Sequence, residues 1–223
     1  MVVESPIKGY SSGLFAETEE PLWNLIETSI WTRNCGRKEE DAALSITRTL
    51  LDQPRWLEAR FLYDNRGSLL FEKICTLPEY YLTRTEDAIL KREAPGILEL
   101  AKAECIVELG AGFSKKTIHL LREQLRCCPE SIFIPVDVSQ TALRGSRDIV
   151  RSLFPTMEYY GLLASYHEGL QSLRQDLSKL VVFLGSSIGN FDLVDLKRFF
   201  QMLSKSMAPG DYLLLGVDRV KDV

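Results

Sequence analysis

The chain has 223 residues with an ordinary hydrophobic fraction of 45%, and its net charge of −4 argues against nucleic acid as a partner, because phosphate binding needs concentrated positive charge. No apolar run approaches the roughly 18 residues of a membrane span and the start carries no secretory signal, so we expect a cytoplasmic protein with no membrane contact. The five scattered cysteines and two distant histidines predict reduced thiols and no metal site.

The first part of the chain shows helical rather than strand patterns. Residues 1–36 are mixed and aperiodic, which predicts a leader that can be disordered. Apolar residues at helical spacing predict a first helix over 37–53. A second helix is predicted over 85–101, with Thr85 as its N-cap and Pro95 as a kink or a break.

From residue 103 onward, short apolar runs alternate with amphipathic helices. The runs predict five strands, at 105–110, 132–137, 157–164, 180–185 and 211–217. Helices are predicted between them at 114–126, 140–153 and 192–207. Such alternation is typical of β-α-β units, so we expect an α/β fold with a mostly parallel sheet and helices on both faces. Ligands of such sheets bind at the carboxyl ends of the strands.

Two of these strand ends carry residues suited to a nucleoside. The first strand ends in ELGAG, where Gly110 and Gly112 let the backbone turn sharply and approach a ligand; a tight strand–helix turn is the alternative. The second strand ends in Asp137, which is placed to accept hydrogen bonds from ribose hydroxyls, unless it only caps the next helix.

The choice of nucleoside depends on two further residues. Lys115 stands where a dinucleotide motif needs a third small residue, and S-adenosylmethionine (SAM) has no pyrophosphate that would require one. Glu108 fits the E-x-G-x-G pattern usual in SAM methyltransferases. These two features favour SAM over NAD as the cofactor.

Five segments together resemble the histidine-specific SAM-dependent methyltransferase family: LPEYYLTRTE (77–86), ELGAGFSKKT (108–117), IPVDVS (134–139), VVFLGSSIGNF (181–191) and LLLGVDRVKD (213–222). The resemblance covers roughly residues 56–223. It implies a Rossmann-like class I methyltransferase in which 37–102 is a helical segment on the substrate side and 103–223 is the SAM-binding core. The implied reaction is methylation of the α-amino group of L-histidine, which gives the histidine betaine of ergothioneine biosynthesis.

The resemblance also assigns roles to individual residues. Contacts to SAM fall on the glycine turn, the lysine after it, the acid of the second strand and the pair after the third strand: Gly110, Gly112, Lys116, Asp137, Ser165 and Tyr166. Contacts to histidine fall on two aromatic residues that line its pocket and on an amide that holds its amino and carboxylate groups: Tyr63, Tyr80 and Asn190. No catalytic base is assigned.

Each of these assignments has a purely structural alternative. Tyr63 and Tyr80 are also compatible with core or surface aromatics, Lys116 with a solvated helix lysine, and Asn190 with a cap of the helix that begins near Asp192.

Two departures from the family pattern bear on the cofactor. Ala111 and Phe113 replace two hydroxyl residues of the glycine turn. Ser165–Tyr166 replaces an acid–aromatic pair that contacts the adenine end, so the aromatic ring is kept and the acid is not.

The strand count sets a last group of expectations. Methyltransferases of this fold normally carry seven strands, and the last two are not found in this sequence. We therefore expect an open apolar edge at 211–217 that pairs with a partner chain or a second copy, and no methylation of histidine by this chain alone. Two other functions stay open: a fragment that binds SAM or an amino acid without catalysis, and a methyltransferase of the same family that acts on another amine.

Overall fold

The computed structural model describes residues 23–33, 39–173 and 176–219. Within these ranges the strands are β1 (Trp23–Glu27), β2 (Ile30–Arg33), β3 (Cys105–Leu109), β4 (Ile132–Asp137), β5 (Glu158–Tyr159), β6 (Gly161–Leu163), β7 (Lys179–Phe183) and β8 (Tyr212–Leu215). The helices are α1 (Glu39–Leu51), α2 (Asn65–Ile74), α3 (Tyr81–Ala101), α4 (Ile118–Cys127), α5 (Gln140–Leu153), α6 (Tyr166–Gln171) and α7 (Leu193–Ser206), with 3₁₀ turns at Ala59–Leu62 and Ser187–Asn190.

The strands form one sheet in the order β1-β2-β6-β4-β3-β7-β8, with β5 beside β4. Every pairing from β2 to β8 is parallel, and only the β1–β2 pair is antiparallel. All residues of β3, β4 and β7 are buried, because helices cover both faces of the sheet. The three strands are therefore mostly apolar, and their charged residues lie at or next to a strand end. The predicted α/β fold with a mostly parallel sheet is confirmed.

One edge of the sheet is built from residues that the sequence pattern assigns to a leader over 1–36. Residues 23–33 of that range instead form the β1–β2 hairpin, and β2 pairs with β6. Arg144 and Arg147 of α5 bind the Glu27 carboxylate at 2.5 and 3.0 Å, and their hydrogen bonds lower the pKa of Glu27. The prediction fails here because these contacts come from a helix more than a hundred residues away.

Helix α3 differs from its prediction at its start, and it is not broken at Pro95. It begins at Tyr81, so Thr85 lies inside the helix and is not its N-cap. Pro95 stays within one continuous helix, where its neighbours Ala94 and Leu98 pack into the core against α4. Among the described residues no helix is both long and apolar enough to cross a membrane.

Two further elements differ from their predictions. The third strand, predicted over 157–164, is divided into β5 and β6 at Tyr160, whose amide still donates to the Phe133 carbonyl at 3.0 Å. Helix α2 was not predicted; it begins after Asp64, whose side chain accepts a hydrogen bond from the Gly67 amide at 2.6 Å. This helix matters for the site, because it lies against the end of β4.

A buried ion pair fixes the opposite end of the sheet. Lys179, at the start of β7, lies 2.9 Å from Asp211, and their side chains are 2% and 1% exposed. Asp211 also accepts the backbone amides of Lys179 and Ala208, both at 2.8 Å. These contacts set the register of β7 beside β8, so the carboxyl ends of the two strands meet at the same level.

Candidate functional site

The turn after β3 is bound directly to the end of β4. The amides of Gly110 and Ala111 donate to the Val136 carbonyl at 2.9 and 3.2 Å, and the Gly112 amide donates to the Asp137 carboxylate at 2.8 Å. The glycine turn and the acid, which lie 25 residues apart in the sequence, are therefore one structural unit at the carboxyl ends of the two strands.

Both glycines of this turn adopt backbone conformations that L side chains rarely adopt. The φ angles of Gly110 and Gly112 are +66° and +53°. A Cβ on Gly110 would lie 2.9 Å from the Tyr166 hydroxyl, whereas a Cβ on Gly112 would meet no atom within 4 Å. Gly110 thus admits the Tyr166 side chain, and Gly112 faces open space that a ligand can fill.

Asp137 is buried, with 8% of its surface exposed. One carboxylate oxygen accepts the Gly112 amide and the other accepts the Ser139 amide, both at 2.8 Å. Burial raises the pKa of Asp137, and the hydrogen bonds from backbone amides oppose that shift. The N-cap of α5 is Ser139, which accepts from Ala142, so Asp137 is not the cap of this helix.

The residues after β6 are Ser165 and Tyr166, and the acid beside them comes from Glu168 rather than from the position before the aromatic ring. Ser165 is the N-cap of α6, and Glu168 completes a capping box by accepting the Ser165 amide at 2.9 Å and its hydroxyl at 2.6 Å. A carboxylate therefore lies next to Ser165, supplied three residues later in the chain. The Tyr166 ring packs edge-on against Phe183 at 5.1 Å, and burial raises the pKa of Tyr166.

The two predicted pocket tyrosines belong to one aromatic row. Phe71 of α2 lies between them, with ring centroids 5.7 Å from Tyr63 and 5.9 Å from Tyr80. Burial raises the pKa of both tyrosines, and for Tyr63 the charge of Asp137 adds to the shift. Both phenols therefore stay protonated near neutral pH and can donate hydrogen bonds.

Helix α2 carries this aromatic row to the sheet through one buried contact. The Ser68 hydroxyl donates to the Ser139 hydroxyl at 2.9 Å, which joins α2 to the loop that follows Asp137. Tyr63 lies close enough to Asp137 for that carboxylate to affect its pKa, and Tyr80 is joined to the same row through Phe71.

Lys116 is not a solvated helix lysine. Its side chain is 20% exposed and pairs with Glu86 of α3, whose side chain is 11% exposed. Glu86 also accepts the amide of Gly185, the residue that begins the turn after β7, at 2.9 Å. Sequence reasoning missed Glu86, because nothing in the helical pattern of α3 separates it from the other acids of that helix.

Asn190 lies in the turn that Gly185 begins. It is the last residue of the 3₁₀ turn Ser187–Asn190, and its side chain is exposed. Helix α7 is capped by Asp192, whose carboxylate accepts the Asp195 amide at 2.7 Å. Asn190 is therefore not the cap of α7, and its amide is available to a ligand at the carboxyl end of β7.

Glu108, directly before the glycine turn, is a buried acid with incomplete hydrogen bonding. One of its oxygens accepts the Thr117 hydroxyl, and the other is buried without a partner among the described residues. Burial raises the pKa of Glu108 to about 7, although the hydrogen bond from Thr117 and the charge of Lys116 lower it. The described part of the chain contains no cluster of His, Cys, Asp or Glu residues that could hold a metal ion.

The structure thus gathers the predicted residues into two neighbouring groups. The glycine turn, Asp137 and Tyr166 adjoin one another at the ends of β3 and β4, with Tyr63 of the aromatic row near Asp137. Lys116 and Asn190 are associated with the turn after β7. This set of groups fits a nucleoside joined to an amino acid. Asp137 can bind a ribose diol, Lys116 can bind a carboxylate, and two half-buried tyrosines can donate hydrogen bonds.

Comparison with known proteins gives three findings. Residues 41–223 match the family model described as histidine-specific methyltransferase, SAM-dependent. The chain is 40% identical over 169 residues to histidine N-alpha-methyltransferase of Mycolicibacterium smegmatis, covering 76% of this chain and 53% of that protein. It is 35% identical over 177 residues to ergothioneine biosynthesis protein 1 of Neurospora crassa, covering 77% of this chain and 20% of that protein.

The chain therefore spans about half the length of the first of these relatives. Among solved structures, magnesium protoporphyrin IX methyltransferase from Synechocystis, determined with bound SAM, matches with a TM-score of 0.50 at 10% identity. The match covers 67% of this chain and 70% of that one. At that identity the match concerns the fold alone, and it agrees with the Rossmann-like sheet described above.

The raised pKa of Glu108 has a consequence for stability. Between pH 4.5 and about 7 the unfolded chain has lost this proton and the folded chain keeps it, so the free energy of unfolding falls as the pH rises through that window. We expect Glu108→Gln to remove this loss, which amounts to about 3 kcal/mol. Urea unfolding at pH 4.5 and pH 8 measures it. If the free energy of unfolding of Glu108→Gln differed from that of the wild type by the same amount at both pH values, the expectation would be wrong.

Proposed function

Because the chain belongs to the histidine-specific, SAM-dependent methyltransferase family, we propose that it binds SAM at the carboxyl ends of β3 and β4 and serves methyl transfer to the α-amine of L-histidine. The observation that carries this proposal is the hydrogen bond from the Gly112 amide to Asp137, which unites the glycine turn with the acid. The name of the first relative supports the α-amine of histidine as the acceptor, and the name of the second supports a place in ergothioneine biosynthesis.

The residues present fit SAM. Gly112 offers open space beside the Asp137 carboxylate, which can accept ribose hydroxyls. Lys116 offers an ammonium group for the methionine carboxylate, the only anionic group of SAM. Lys115, which occupies the third position of a dinucleotide motif, is 61% exposed and pairs with Glu72 on α2, so it does not fill the turn.

When bound, SAM supplies the methyl group on its sulfonium sulfur; the chain's own residues align the amine and limit its contact with water. The free α-amine has a pKa of about 8 to 9, so a minor neutral fraction is present at pH 7 and a strong base is not obligatory. Asn190 can orient the amine through its amide oxygen, and the protonated Tyr63 and Tyr80 can donate hydrogen bonds to the substrate. We propose no general base.

One observation favours a second candidate, binding without catalysis. Among the described residues, β8 pairs with β7 on one side and with no strand on the other. Its Tyr212–Leu215 edge can accept a further strand, from a partner chain or from a second copy of this one. In that case the proposed site would bind SAM and histidine, and methyl transfer would depend on the added strand.

The function is tested by methyl transfer from labelled SAM to a panel of amines. We expect histidine to be the preferred acceptor over tryptophan and other amino acids. Preference for another amine would assign the chain to a different substrate. Binding of SAM and histidine by calorimetry without any transfer would favour the second candidate.

The cofactor site is tested at Asp137. We expect Asp137→Ala to weaken SAM binding by about 2 kcal/mol or more, because charge-assisted hydrogen bonds to the ribose are lost. Asp148→Ala, on the exposed face of α5, is the matched control and should bind SAM like the wild type. Calorimetry measures both. Equal affinity of Asp137→Ala and the wild type would remove Asp137 from the cofactor site.

The substrate site is tested at Asn190 in the chain loaded with S-adenosylhomocysteine. We expect Asn190→Ala to weaken histidine binding, with SAM binding nearly unchanged, because the amide orients the amino acid. Asp192→Ala is the control: it removes the cap of α7 and about 1 kcal/mol of stability without touching histidine. An equal loss of SAM and histidine binding in Asn190→Ala would show that Asn190 is structural.

A further inference from the structure

Glu86 is a helix residue whose carboxylate reaches the carboxyl ends of two strands. The Gly185 amide, after β7, donates to both of its oxygens at 2.9 and 3.1 Å. Lys116 forms an ion pair with one of these oxygens. A Cβ on Gly216, after β8, would lie 2.0 Å from the other oxygen, so only glycine leaves room for the carboxylate there.

A buried ion pair of this kind needs a reason beyond stability. Removing both charges from water costs free energy that their attraction often fails to recover, so such pairs are weak stabilisers. The Glu86–Lys116 pair is 11% and 20% exposed, and its acid is used at the same time by a backbone amide. The arrangement therefore fixes geometry: it decides where the Lys116 ammonium lies relative to the glycine turn.

We propose that Glu86 is a positioning residue that holds Lys116 for the carboxylate of the cofactor; this rests on the proposed function. A lysine has three donors on a flexible stem, and holding one donor against Glu86 restricts where the other two point. The same carboxylate holds Gly185, which begins the turn that ends at Asn190. Glu86 thus joins the cofactor end of the site to its substrate end without touching either ligand.

Glutamine is the substitution that separates this role from simple space-filling. Its side chain has the same shape, but it has one oxygen where Glu86 uses two, so its NH₂ group must face either the Gly185 amide or the Lys116 ammonium. We expect Lys116 to be displaced. If Glu86 instead only competed with the cofactor carboxylate for Lys116, the neutral glutamine would leave the ammonium free for that carboxylate, and cofactor binding would become tighter.

The neighbouring residue provides a matched control. Lys115 forms an ion pair with Glu72 of α2, and the two side chains are 61% and 24% exposed. Glu72→Gln also removes a glutamate charge from an ion pair, and the lysine of that pair is next to Lys116 in the sequence. It should leave cofactor binding unchanged, because Lys115 pairs with Glu72 of α2 and takes no part in the contact between Glu86 and Lys116.

The experiment compares two ligands by calorimetry on the 223-residue chain. S-adenosylhomocysteine carries the amino-acid carboxylate, and methylthioadenosine shares its nucleoside but lacks that group. We expect Glu86→Gln to weaken S-adenosylhomocysteine binding by about tenfold and methylthioadenosine binding by less than about twofold. Glu72→Gln should match the wild type for both ligands.

Lys116→Met supplies the second measurement. It should show the same difference between the two ligands, and Glu86→Gln should add no further loss in its background, because both changes act through one ammonium group. Unchanged or tighter S-adenosylhomocysteine binding in Glu86→Gln, an equal loss for both ligands, or wild-type binding by Lys116→Met would overturn the proposal. Wild-type binding by Lys116→Met would overturn the proposal even if Glu86→Gln does not fold, because it would show that the ammonium does not bind the ligand carboxylate. A wild-type chain that binds neither ligand would contradict the proposed function instead.

Discussion

The site depends on the hydrogen bonds that tie the turn after β3 to the end of β4. Three consecutive amides, from Gly110 to Gly112, are directed at the last two residues of β4. This is only possible because both glycines adopt positive φ angles, which turn the backbone back toward the neighbouring strand. The parallel register of β3 and β4 then places an acid and an open backbone turn at one level, where the ribose of the proposed cofactor can lie.

Much of this end of the molecule could be predicted from local sequence. The strands β3, β4 and β7 are fully buried and mostly apolar, so each stands out in the sequence as a short hydrophobic run. Gly110, Gly112 and Asp137 end such runs, and topology alone places strand ends together. The S-x-x-E pattern from Ser165 to Glu168 is also a capping-box signature, and it brings a carboxylate next to Ser165, where the family pattern has an acid.

The rest could not be predicted, because it depends on contacts between distant parts of the chain. The β1–β2 hairpin is stabilised by arginines of α5, and its own residues carry no strong strand pattern. Glu86 becomes distinctive only when Gly185 and Gly216 approach it from the ends of β7 and β8. Local periodicity reports which face of an element is apolar, but it does not report which polar side chain meets a distant backbone.

The helical segment before β3 is therefore part of the site rather than an attachment to it. Its two buried polar contacts with the sheet, from Ser68 and Glu86, reach the ends of β4 and β7 respectively. Tyr63 and Tyr80 are carried to the site by the same segment. The family model that begins at residue 41 includes this segment together with strands β3 to β8.

A crystal structure of this chain with S-adenosylhomocysteine tests whether the glycine turn and Asp137 form the cofactor site. We expect the ribose hydroxyls to bind Asp137, the ligand to pass over Gly112, and its amino-acid carboxylate to lie on Lys116. A ligand bound elsewhere on the sheet, or a ribose with no contact to Asp137, would contradict this assignment.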